Sequence, residues 1–460
     1  MSTPTTDQII EALRPVEDPE LHRSIVDLGM VRDVEMKGGV VSLTVVLTIA
    51  GCPLRNEIQN RVGTALRALD GVKDVALNFG VMNDEERAKV REMLHGNPGA
   101  TAGSQPAQGH ASGREISFAQ PGSKTRPILV SSGKGGVGKS SVTTNLAVAL
   151  AAQGYKVGIV DADIYGYSIP RMLGTDRDPV VIDNMLLPPE KWGVRCISIG
   201  YFVPEGQAVV WRGPMLHKAL EQFLTDVFWD EPDFLLIDMP PGTGDIALSL
   251  SQYLPKGEVY VVTTPQQAAQ KVARLSAAMA TKVGLPVKGV IENMSWFTGD
   301  DGVRYELFGA GGGLELAQRL EVPLLGQIPL VPALREGGDE GSPIVVAHPE
   351  DEAAVAFRAI AAQLRTIARA EAIDRAAAVT ARSGIEISAD ELLASERRRR
   401  AERRARGGLG GPGGERVVSP MQGTVLRVEV ADGDAVEAGA VLVIVEDAHW
   451  ADESTPHPHH

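Results

Sequence analysis

The chain has 460 residues, which at roughly 100 to 200 residues per domain leaves room for two to four domains and excludes a small stapled scaffold. Hydrophobic residues at 43% and charged residues at 23% are ordinary globular usage, excluding wholesale disorder and a membrane protein. The net charge of −14, from 59 acidic and 45 basic residues, argues against a nucleic-acid partner, whose phosphates call for a basic surface, and leaves proteins or small ligands.

Residues 1–95 read as a small α+β domain. Ile9, Ile10, Leu13 and Val16 recur at helical spacing. Strand-like VVSLTVVLTI follows, then a turn at AGCP, a helix from about Leu54 to Leu69, a short strand VKDVALNF and a charged helix DEERAKVREML. Gly, Pro, Ala, Gln and Ser crowd the stretch from Gly96 to Gly113. Such composition cannot bury enough apolar surface to order itself, so 96–125 reads as a flexible linker. From Pro127 the apolar runs PILVSS, KVGIVDAD, FLLIDMP, EVYVVTT, PVKGVIEN and LLGQIPL alternate with helices. Runs apolar on both faces belong to a parallel sheet covered by helices, so 126–370 is expected to be an α/β domain. Its end is placed near Arg369, after the helix DEAAVAFRAIAAQLRTIA. An Ala/Arg/Gly-rich linker at 371–415 and a short β-rich segment at 416–460 complete the chain.

Strand PILVSS runs into Gly133, Lys134, Gly135, Gly136, Val137, Gly138, Lys139 and Ser140, and a helix starting at Ser141 follows. This is a complete GxxxxGK[ST] phosphate loop. Its glycines let backbone N–H groups converge with the helix N-terminus on phosphate oxygens, and Gly133 to Ser141 are assigned to the nucleotide. Lys139 is expected to reach the β and γ phosphates while the Ser140 hydroxyl binds magnesium. Two acidic motifs end later strands, where ligands bind in open α/β sheets: Asp161-Ala162-Asp163 and Asp238-Met239-Pro240-Pro241-Gly242-Thr243-Gly244-Asp245. Asp238 reads as the second magnesium-holding group and Asp163 as the residue that positions the attacking water; Asp161 and Asp245 are left to hydrogen-bond nearby loops. Aspartates in such places also serve simply as caps of helices or turns. No NKxD motif for guanine occurs.

The second lysine of the loop, Lys134, makes it resemble the deviant Walker A of the MinD, ParA and nitrogenase iron protein superfamily. That resemblance implies a homodimer in which Lys134 acts on the partner subunit's nucleotide. It also places Asn293, after PVKGVIE, on adenine, so ATP is favoured over GTP. More closely, SGKGGVGKSSVTTNLA, DADIYG, IDMPPGTGD, TTPQQAA, ENMSWF, LFGAGGG and LLGQIPL resemble the signatures of the Mrp/ApbC family of iron–sulfur cluster carrier ATPases, in that family's order. The front domain, with DLGMV and Cys52-Pro53, is similar to the PaaD-like module of many such proteins. The resemblance implies ATP and magnesium as ligands, a P-loop NTPase fold with a mostly parallel sheet, and apoprotein clients and iron–sulfur assembly proteins as partners. The runner-up is a metal-free, ATP-gated protein-interaction switch of the MinD/ParA kind. Two departures stand out. Where the family commonly carries a CPxC pair that bridges a cluster between subunits, this chain reads Trp296-Phe297-Thr298-Gly299-Asp300. Tyr167 stands where the family usually has proline.

Only two cysteines occur, too few for a disulfide framework, and fewer than the four thiolates that one chain needs around a cluster. Cys196, in apolar VRCISIG, reads as a small core residue. Cys52, at a strand end before Pro53 and a helix, reads equally as a reactive thiolate or a plain buried cysteine. Any iron–sulfur cluster is therefore expected to be labile and to depend on Cys52. MSTPTTDQII lacks a basic region followed by an apolar core, and no window reaches the roughly 18 apolar residues of a membrane span. A cytoplasmic protein without membrane or nucleic-acid partners is expected. Arg397 to Arg400, Arg403, Arg404 and Arg406 read as a solvated helix or arm. The segment from Val417 resembles the first half of a biotinyl/lipoyl carrier domain, but Asp447-Ala448-His449-Trp450 replaces the lysine-bearing turn, so biotin is not expected. His457, His459 and His460 read as a tail.

Overall fold

The computed structural model describes residues 4–49, 54–95, 116–120, 123–175, 177–182, 184–203, 213–242, 245–383, 417–418 and 425–426. Cys52, residues 96–115, the arginine run and the terminal histidines lie outside them. The chain divides into two compact units, Met1–Ala119 with Lys124–Gln363, and Gln120–Ser123 with Leu364–His460.

The front of the first unit is built from α1 (Thr6–Leu13), β1 (Val31–Lys37), β2 (Val40–Leu47), α2 (Arg55–Arg67), β3 (Asp74–Val81) and α3 (Asp84–His95). Helix α1 starts where Thr5 and Gln8 cap each other's backbone N–H groups. Ile58, Val62 and Leu66 recur every four residues along α2 and are buried, while Val41, Leu43 and Val45 alternate inward along β2. Strand β2 pairs antiparallel with β1 and parallel with β3. Strand β1 has no counterpart in the sequence reading. It is an edge strand with no fully buried residue, so it carries no apolar run.

The rest of the unit follows as β4 (Arg126–Ser132), α4 (Lys139–Ala152), β5 (Val157–Asp161), α5 (Ile169–Leu173), β6 (Val180–Ile182), β7 (Met185–Leu187), β8 (Glu190–Lys191) and β9 (Val194–Ser198). Then come α6 (Gly213–Thr225), β10 (Phe234–Asp238), α7 (Asp245–Tyr253), β11 (Glu258–Thr263), α8 (Gln267–Lys282) and β12 (Val287–Asn293). After these follow β13 (Phe297–Thr298), β14 (Arg304–Tyr305), α9 (Gly312–Arg319), β15 (Leu324–Ile328), α10 (Pro332–Glu340), α11 (Ile344–Ala347) and α12 (Glu352–Ser383). Eight strands form one sheet in the order β15-β12-β11-β4-β10-β5-β9-β8. Every pairing is parallel except β8 with β9. All residues of β4, β5, β9, β10 and β11 are buried, as expected of strands covered by helices on both faces. The expected α/β class is the observed one.

Helix α12 does not stop near Arg369. It continues to Ser383 because the stretch is Ala-rich and free of Gly and Pro, so nothing in it ends a helix. Strands β16 (Val417–Val418) and β17 (Val425–Leu426) pair antiparallel.

Candidate functional site

Register brings the acidic motifs to the phosphate loop. Asp238 ends β10 level with Val130 of β4 on one side and Asp161 of β5 on the other. Asp238 is thus on the strand next to the carboxyl end of β4, where the loop begins, and Asp161 is one strand further out on the same side. Gly138 takes the left-handed conformation, with φ at 79°, and turns the chain straight into α4. A Cβ there would also lie 2.2 Å from the Asn293 amide nitrogen. The N-terminal N–H groups of α4 therefore open on the cleft that Lys134 to Ser141 line together with Asp163, Ser168 and Pro241.

Three donors meet on Asp238, which is 0% exposed. Lys139 Nζ and Ser140 Oγ donate to one oxygen at 2.7 and 2.6 Å, and Thr143 Oγ1 donates to the other at 2.7 Å. Lys139 is itself buried, 6% exposed, with its ammonium 3.7 Å from Asp163. Burial and the nearby Asp238 push the Asp163 carboxyl above its ordinary range, against the pull of Lys139. Thr143 escaped the sequence reading, although it sits one helical turn after Lys139 and so shares its face. A hydroxyl and a carboxylate oxygen 2.6 Å apart are the hard oxygen donors that magnesium takes.

Asp161 lies behind this group. It accepts hydrogen bonds from Ser198 Oγ and from the backbone N–H groups of Ser168 and Ile169, and so ties the Asp163-to-Ser168 loop to the sheet. Burial, with Asp238 beside it, raises its pKa to about 7. Asn293 does not line the cleft. Its amide nitrogen donates to the Val137 carbonyl at 2.9 Å from beneath the loop, and its buried Oδ1 has no partner. Lys134 bonds Gln266, which lies within the TTPQQAA signature although the sequence assigns it no role. Tyr167 is half-exposed and packs over Gly200, where a Cβ would lie 2.5 Å from its ring.

The position of the absent CPxC pair is a short hairpin, β13 with β14. Glu352 accepts hydrogen bonds from the Trp296 indole and the Thr298 hydroxyl, and the Arg304 guanidinium stacks 4.3 Å over the Trp296 ring. Cys196 is 0% exposed on β9, a core residue as expected, and burial pushes its thiol well up. Among the described residues no cluster of three or more His, Cys, Asp or Glu is placed to hold a metal. No described helix is long and apolar enough to cross a membrane.

A phosphate loop between a central parallel strand and its helix, with the loop's lysine and serine on the carboxylate of the adjacent strand, defines a P-loop nucleoside triphosphatase. Residues 124–365 match the family model of the NUBPL iron-transfer P-loop NTPase, and residues 6–78 match that of an iron–sulfur cluster assembly protein. The chain belongs to this family of iron-transfer P-loop NTPases. An iron–sulfur cluster carrier protein of Mycobacterium leprae is 49% identical over 342 residues, 73% of this chain and 86% of its own length. Its counterpart in Deinococcus radiodurans is 45% identical over 361 residues, 78% of this chain and 94% of its own. Among solved structures, a nucleotide-binding protein from Archaeoglobus fulgidus in complex with ADP is 36% identical, covers 51% of this chain and 93% of its own, and superposes with a TM-score of 0.44.

Proposed function

We propose that this chain is an ATP-dependent iron–sulfur cluster carrier, which hydrolyses ATP slowly as a homodimer and delivers clusters to apoproteins. What carries the reading is that one chain joins an assembly-type front segment to an iron-transfer P-loop NTPase. Its relatives bear the name iron–sulfur cluster carrier protein.

In this reading Lys139 and the N-terminus of α4 hold the β and γ phosphates. Ser140 and Asp238 hold magnesium, which neutralises charge developing on the phosphates. Thr143 fixes the far oxygen of Asp238, so the near one stays aimed at the loop. Asp163 orients the attacking water, and its raised pKa suits it to accept a proton. The preference for ATP over GTP rests on the family resemblance, since Asn293 is buried beneath the loop and bonds the Val137 carbonyl. Lys134, which lines the cleft, acts on the partner subunit's nucleotide.

The cluster is cargo. No thiolate stands at Trp296–Gly299, so its protein ligand is Cys52, completed by thiols from outside the chain, because iron is held chiefly by thiolate sulfur. Anaerobic reconstitution with iron and sulfide tests this, read as visible absorbance and iron content. Wild type and Cys196→Ser are expected to bind weakly and Cys52→Ser to lose that binding. A stoichiometric cluster that survives Cys52→Ser refutes the assignment. No cluster under any condition, clients included, leaves the metal-free switch, the reading that the missing CPxC pair alone supports.

A further inference from the structure

We propose that Gln266 is a positioning residue for Lys134: it holds the lysine over its own phosphate loop and so sets how much ATP is needed before a second copy captures it. The inference rests on the trans role given to Lys134 above.

Lys134 Nζ donates to Gln266 Oε1 at 3.1 Å, across 132 positions of sequence. Gln266 is the N-cap residue of α8, yet its side chain makes no capping hydrogen bond, so the amide is committed to the lysine and not to the helix. The acceptor is also rigidly placed. Gly133 lets the backbone of α8 pass so closely that a Cβ on it would lie 2.2 Å from the Ala273 nitrogen. One turn further, the Ser131 and Ser276 hydroxyls share a hydrogen bond of 2.8 Å, and Ser276 bonds the Gly242 carbonyl at 3.1 Å. Helix α8 is thus fastened to β4, to the phosphate loop and to the loop after Asp238. The distance between Gln266 and Lys134 is accordingly set by the packed core.

A neutral amide suits this task. It orients an ammonium but yields to a phosphate, because the phosphate adds the Coulomb attraction of an opposite charge that a neutral amide lacks. To reach the other subunit's nucleotide, Lys134 must leave Gln266. Removing the amide therefore favours the dimer, and replacing it with a carboxylate opposes it.

The test is light scattering of the full chain during titration with magnesium and a non-hydrolysable ATP analogue. Gln266→Ala is expected to lower the analogue concentration for half-maximal dimerisation by roughly three- to tenfold, and Gln266→Glu to raise it by about as much. A purely structural role would make both variants worse, so shifts of opposite sign single out the lysine. Shifts in the same direction, or none, overturn the inference and leave the trans role of Lys134 standing. A wild-type chain that stays monomeric throughout overturns both.

Discussion

At the scale of single residues, the buried meeting of Lys139, Ser140 and Thr143 on Asp238 decides the chemistry. Each removes a different part. Lys139→Ala takes away the ammonium and leaves a buried carboxylate short of a partner, so ATP hydrolysis is expected to fall at least about a hundredfold, the scale of losing one preorganised charge at a transferring phosphate. Thr143→Val keeps the volume but strips one hydrogen bond from Asp238. Its loss of about 1 to 2 kcal/mol is expected as a roughly five- to thirtyfold weaker affinity for magnesium-ATP by calorimetry. Wild-type hydrolysis in Lys139→Ala, or unchanged affinity in Thr143→Val, contradicts these roles.

At the scale of elements, the site depends on how closely α8 lies against the phosphate loop. Gly133 sits where its absent side chain would overlap the α8 backbone at 2.2 to 2.7 Å, and backbone cannot turn aside as a side chain can. Gly133→Ala is expected to cost about 3 kcal/mol through overpacking, read as a lower thermal midpoint, and to weaken nucleotide binding because the loop shifts with it. The neighbouring Gly135 meets nothing within 4 Å, so Gly135→Ala is the matched control and is expected to keep the midpoint. Equal midpoints in the two variants contradict the packing argument.

At the scale of the molecule, the front of the chain shares a hydrophobic core with the NTPase. Val180, Ile182, Met185 and Leu187 of the β6–β7 hairpin, with Phe228, belong to the same buried cluster as Ile9, Leu43 and Ile58. Polar contacts rim it: Arg177 meets Glu20 at 2.6 Å, and Glu190 accepts from both His22 and Arg195. Burial pushes the Glu190 carboxyl up, but the bonds from His22 and Arg195 outweigh this and hold it at about 2, below its ordinary 4.5. A carboxyl with a lowered folded value stabilises fully above pH 4.5, and that contribution is lost as pH falls towards about 2. Stability measured between pH 5 and 2 is therefore expected to fall more steeply in wild type than in Glu190→Gln, and equal slopes contradict this linkage. The dimer is tested at the same scale by mixing Lys134→Ala with Asp163→Ala. If Lys134 acts in trans, one composite site collects both defects and the other is intact, so activity is expected to recover in part. Activity no higher than either variant alone removes the trans role.

The phosphate loop was legible because its chemistry is contiguous. Gly133 to Ser140 are neighbours in the chain, and the strand before them is apolar throughout, as a doubly covered parallel strand must be. The acidic motifs were legible for the same reason, since each closes an apolar run. Edge strand β1 was not, because alternating charges and half-buried residues leave no run to read. The helical period put Thr143 on the face of Lys139 without showing that both would meet Asp238, and nothing in the sequence announced that Gln266 would meet Lys134. No local pattern announced either that the β6–β7 hairpin would complete the front core. Those pairings join residues whose separation in sequence is set by intervening elements, and only the register of the sheet and the packing of α4 and α8 bring them within hydrogen-bonding distance. The sequence by itself thus determined the class of chemistry, through side chains that act as a local unit. The tertiary structure decided which buried groups surround that unit, because burial and long-range contact are properties of the packed fold and not of any segment of it.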